Sequence, residues 1–71
     1  MTAATPFPEP SRIIREPECR RLTGLSRTQR WRLIQAGKFP IPVPLGPRAR
    51  GWVAAEVSAW IEGRVADREA A

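Results

Sequence analysis

Around Gly24 the chain ends one helix and starts another within three or four residues, and few small folds accommodate that. In "PECRRLTGLSRTQRWRLIQAG" (Pro17–Gly37), Pro17 suits a first helical turn, where its missing N–H is not needed. Cys19 and Leu22, three apart, predict one apolar face, and Gly24 supplies a left-handed stop. Ser26 then opens a second helix of about ten residues, with Gln29 three positions on in the Ser-x-x-Gln form of the capping box. Gly37 closes it. Two short helices joined through a glycine are the spacing of a helix-turn-helix.

The flanking segments read differently. "MTAATPFPEPS" carries three prolines in eleven residues, so residues 1–11 are expected to form a flexible arm. "RIIR" (Arg12–Arg15) is an apolar pair that suits a short strand or a packed loop. In "KFPIPVPLGPRARGW", Ile41, Val43 and Leu45 alternate between prolines, and Gly46-Pro47 signals a turn before Arg50 and Trp52. This predicts a two-stranded hairpin with arginines at its tip, that is, a wing. Val53, Val57, Trp60, Ile61 and Val65 form one apolar stripe, so a last helix is expected from about Val53 to Val65. The polar "ADREAA" is expected to fray. The domain is therefore placed at 12–65, with 66–71 as a flexible tail. The fold class is mainly α with a small β-hairpin, a winged helix-turn-helix of three helices plus wing.

Charge is distributed unevenly. Arg12 to Arg50 contains ten basic and two acidic residues, a local +8, whereas Gly51 to Ala71 contains two basic and four acidic, a local −2. A concentrated positive field in a small domain suits a polyanion partner; a surface tuned for solubility is the competing reading. With no histidine, no tyrosine and one cysteine, the usual acid/base and nucleophile pairs cannot be built, so a binder is expected, not an enzyme. No metal set, cofactor motif, disulfide, membrane span or secretory signal is legible, and a cytoplasmic setting follows as the expectation.

On a helical wheel the second helix points Leu33, Ile34 and Gly37 to the core and Thr28, Arg32 and Gln35 outward. Arginine pairs with guanine and glutamine with adenine in a major groove. Arg27 and Gln29 flank that face in the first turn, beside backbone N–H groups that suit a phosphate. Arg30 falls on the inward face; its stem is expected to cover the core edge while its head reaches Glu16 or Glu18, or else a phosphate. Trp31 lies off the central stripe. It suits a boundary tryptophan closing the core better than a stacking platform for bases. Trp52 and Trp60 read as core, and Cys19 as a buried, inert thiol.

The order "TGLSR", "RLI" followed by "AGKFP", "LGPRA" and "GWVAAEVSAWI" resembles the AlpA family of small phage and mobile-element regulators. That family falls within the MerR-like winged helix-turn-helix group, which includes many excisionases. The resemblance spans Arg12 to Ile61. Two features depart from it: the Arg30 site is often aliphatic there, and Pro44 interrupts the first wing strand. The resemblance implies a recognition helix (Ser26–Ala36) in a major groove, contacting double-stranded DNA through Ser26, Arg27, Thr28, Gln29, Arg32 and Gln35. It implies a wing (Leu45–Arg50) over the adjacent minor groove, whose narrow form attracts the guanidinium groups of Arg48 and Arg50. It also implies two jobs on a mobile genetic element or prophage. One is transcription regulation. The other is DNA recombination as an excisionase, or recombination directionality factor, that binds repeated sites cooperatively and bends DNA for a tyrosine recombinase (an integrase). So small a domain covers few base pairs, so head-to-tail self-association along DNA is expected. The alternatives are a plain promoter-binding activator and a protein-interaction adaptor.

Overall fold

A computed structural model describes residues 12–70. The expected N-terminal arm, 1–11, lies outside the described residues. The chain forms β1 (Ile13–Ile14), α1 (Glu16–Thr23), α2 (Arg27–Gln35), β2 (Val43–Gly46), β3 (Ala49–Val53) and α3 (Ala54–Ala70). Three helices and a small antiparallel sheet make the mainly helical winged arrangement that the sequence predicts.

The helix-turn-helix junction is built as its residues dictate. Gly24 adopts a left-handed φ of 73°, which side chains disfavour, and its N–H donates to the Arg20 carbonyl at 2.8 Å. The Thr23 hydroxyl donates to the Cys19 carbonyl and accepts from the Leu25 N–H, closing the turn. Both halves of the capping box form: Ser26 Oγ accepts from the Gln29 N–H at 3.2 Å, and Gln29 Oε1 accepts from the Ser26 N–H at 2.9 Å.

The Ile13–Ile14 pair of "RIIR" is a strand, and it turns the expected two-stranded hairpin into a three-stranded sheet in the order β1-β3-β2. Ile13 pairs with Val53 and Ile14 with Trp52; across the hairpin Val43 pairs with Gly51 and Pro44 with Arg50. β2 is an edge strand, which is why Pro44 is tolerated, and an irregularity follows it before Gly46. Gly51 permits the sheet to close: a Cβ there would lie 2.5 Å from Ile13 Cγ2 and 3.0 Å from the Ile14 carbonyl oxygen.

The core collects on the inner face of that sheet. Ile14, Cys19, Phe39, Trp52 and Val57 are buried, with Leu33, Ile34, Ala54, Trp60 and Ile61 packed around them. Burial pushes the Cys19 thiol above its ordinary range, as an inert thiol requires. Phe39, which no periodicity in the sequence singles out, meets Trp60 edge-on at 4.9 Å, and the Trp60 indole N–H donates to the Lys38 carbonyl.

Several expectations are corrected. Leu22 is half exposed, because α1 buries the Cys19 side and leaves Leu22 at its margin. Gly37 is exposed just past the end of α2 and does not enter the core. Val53 belongs to β3, so the last helix starts one residue later than predicted, at Ala54. It then runs past Val65 to Ala70. "ADREA" is polar but rich in strong helix formers, and an Arg64–Asp67 ion pair at 3.2 Å spans the extension. Among the described residues no helix is long and apolar enough to cross a membrane.

Candidate nucleic-acid interface

α2 is amphipathic in an unusual way, because an arginine is the most deeply buried side chain of its inner face. Arg30 is 1% exposed. Its Nη1 donates to Glu16 Oε1 at 2.9 Å, its Nη2 to Glu16 Oε2, and its Nε to the Leu25 carbonyl at 3.3 Å. The guanidinium carbon also lies 5.3 Å from the centre of the Trp52 ring. Of the partners that the sequence offered, Glu16 is the one taken; Glu18 pairs with Arg12 instead. The bidentate bond from Arg30 holds the Glu16 carboxyl below its ordinary range, and the same bond raises Arg30 further. Arg12 likewise lowers Glu18 through a hydrogen-bonded pair. The Arg30–Glu16 pair joins α2 to α1, and these bonds satisfy the charge on the inward face.

The opposite face of α2 is open. Arg27, Thr28, Gln29, Arg32 and Gln35 are all exposed. Ser26 and Gln29 are partly committed, since each uses a side-chain oxygen in the capping box. The Ser26 hydroxyl hydrogen and the Gln29 amide nitrogen remain for an outside partner. The Gln29 N–H is likewise taken, while the first two amides of the helix, of Arg27 and Thr28, precede any intrahelical acceptor.

Across from α2 stands the wing. Arg48 lies in the turn between β2 and β3 and Arg50 in β3, both exposed. A cleft of about 860 Å³ runs between α2 and the wing. Arg27, Thr28 and Trp31 border it on the helix side, and Pro47, Arg48 and Arg50 on the wing side. Arg30, Trp52 and Ile34 also line it, and the Trp52 indole N–H is buried without an acceptor among the described residues. The structure thus brings Arg27, Thr28, Arg48 and Arg50 around one cleft. Arg32 and Gln35 lie on the exposed face of α2 outside it.

Two residues of the cleft were not assigned to it by sequence reasoning. Trp31 is 50% exposed on the cleft wall, so the expectation that it closes the core is overturned: Leu33, Ile34 and Arg30 already fill the inward arc of α2. Arg15 follows β1, and its Nε donates to the Arg50 carbonyl at 2.9 Å, which ties β1 to the wing and sets its guanidinium at the cleft. No local pattern marks Arg15, because only strand pairing brings it beside residue 50.

A family model described as "Prophage CP4-57 regulatory protein (AlpA)" matches residues 12–65. The chain is also similar to the "Uncharacterized protein ORF88" of Enterobacteria phage P4, at 41% identity over 71 residues. That alignment covers 97% of this chain and 81% of the relative.

Proposed function

The chain belongs to the AlpA family of prophage regulatory proteins, and we propose that it is a sequence-specific binder of double-stranded DNA on a mobile element. One observation carries this reading. Arg27 and Thr28, in the first turn of the exposed face of α2, line one basic cleft together with the wing arginines Arg48 and Arg50. A helix of this width fits a major groove, and a neighbouring arginine-bearing hairpin then reaches the adjacent minor groove. Arg32 and Gln35 would address base edges. Arg27, Arg48 and Arg50 would address phosphates and the minor groove, and Ser26, Thr28 and Gln29 the first-turn contacts.

The protein acts in this reading as a transcription regulator, as an excisionase that bends DNA for a tyrosine recombinase, or as both. Binding side by side, head to tail, would give so small a domain a useful footprint. It works in the cytoplasm, on DNA, without catalysis of its own. A mobility-shift titration on the DNA flanking its gene, at two salt concentrations, tests the reading. The expected result is tight binding that falls steeply with salt. Weak binding that ignores salt would leave only a protein-interaction adaptor. An excision assay with integrase supplied independently separates the two jobs: an excisionase changes excision, a plain promoter-binding activator does not.

A further inference from the structure

Trp31 is the side chain of the cleft that neither the core nor a base-reading face explains. At 100° per residue it sits roughly 60–70° around α2 from the centre of the Thr28, Arg32 and Gln35 face, turned toward the wing. A side chain at that angle meets the wall of a groove when the polar face meets its floor. The wall of a DNA groove is sugar and phosphate. Around Trp31 the cleft is basic on both sides, with Arg27 on its own helix and Arg48 and Arg50 opposite. Arg15 stands at the same cleft, its Nε spent on the Arg50 carbonyl and its two Nη groups left as donors. The one carboxylate among the cleft residues, Glu16, is already paired with Arg30.

We infer that this cleft clamps a single sugar–phosphate strand of the duplex, with Trp31 packed on a deoxyribose and Arg15 holding a phosphate. The inference rests on the DNA-binding reading above and deepens it. Arginines on two walls suit a chain of phosphates passing between them, and a half-exposed indole suits the apolar face of the sugar. Trp31 then contributes affinity without reading sequence. It carries no charge, so it leaves the salt dependence alone.

The test measures the binding of the full chain to a duplex selected by it from a random pool, to an unrelated duplex, and to the selected duplex with uracil for thymine. Trp31→Ala is expected to bind all three about tenfold more weakly, with the salt slope unchanged. Trp31→Phe should recover most of the loss, and Arg15→Gln should lower the slope by about one. A Trp31→Ala loss confined to the selected duplex, or absent with uracil, would mean that Trp31 reads a base or a thymine methyl, and overturns the clamp. So does no loss at all. Acrylamide quenching of the wild-type protein gives a readout independent of any variant's folding: bound DNA must shield the exposed indole, and unshielded emission from the complex refutes the packing. If the wild-type protein binds no duplex, the DNA-binding reading itself has failed; if it binds and the Trp31 and Arg15 variants match it, only the clamp has.

Discussion

The two sides of α2 use arginine to opposite ends. Inward, Arg30 is sealed, bonded through all three nitrogens and laid over an indole ring. Outward, the Arg27 and Arg32 side chains make no hydrogen bond or ion pair among the described residues, and neither does that of Arg48 across the cleft. The same guanidinium therefore serves as a strut on one side of a nine-residue helix and as a ligand group on the other. What separates the roles is whether a partner is already in place. A paired, desolvated charge holds geometry, while an unpaired, hydrated one is available to an outside anion. Inner substitutions should thus change stability and leave sequence preference alone, and outer ones should do the reverse.

Arg30→Ala puts the largest strain on that contrast. Loss of a buried stem and its bonds should cost about 2–4 kcal/mol in urea unfolding. Arg30→Met keeps the volume and leaves Glu16 to solvent, so it should fall within about 1 kcal/mol of wild type. Equal damage from both would show that the charge, not the filled space, supports α2.

Glu16→Ala comes next. It strands a buried cation, yet 41% of the Glu16 side chain is exposed, so water relieves part of the cost. We expect about 1–3 kcal/mol, more than for Arg30→Met. The pair also has an acid signature. The folded carboxyl titrates below its ordinary 4.5, so its stabilisation is complete above that pH and is lost as pH falls through the folded value. Below pH 4.5 wild type should lose stability more steeply than Arg30→Met. Parallel curves would deny the pair its role.

On the outer side, Arg32→Ala and Gln35→Ala should each relax base preference by about 1–3 kcal/mol, with unfolding unchanged within about 0.5 kcal/mol. Binding selections and melts on the same samples decide it; equal losses on every sequence would remove base readout from that face. Smallest is Arg48→Ala, expected to weaken all duplexes alike and to flatten the salt slope by about one contact.

Much of this molecule was legible in particular residues. Gly24, Ser26 and Gln29 announced the junction and the cap because each acts within a single turn of backbone, where the chain itself supplies both partners. The Val57–Trp60–Ile61 stripe announced a helix for the same reason, although residues 66–70 showed that helix propensity can carry a polar segment on. By contrast, three things depended on tertiary contacts. The choice of Glu16 over Glu18 by Arg30, the exposure of Trp31 and the arrival of Arg15 beside Arg50 all join positions that local spacing does not relate. Sequence alone determined the helix-turn-helix junction, the wing, the charge and the family resemblance. Only the packing of α1, α2 and the sheet decided which arginines are locked inside and which remain to meet a polyanion, because burial and pairing belong to surfaces that do not exist until distant segments meet.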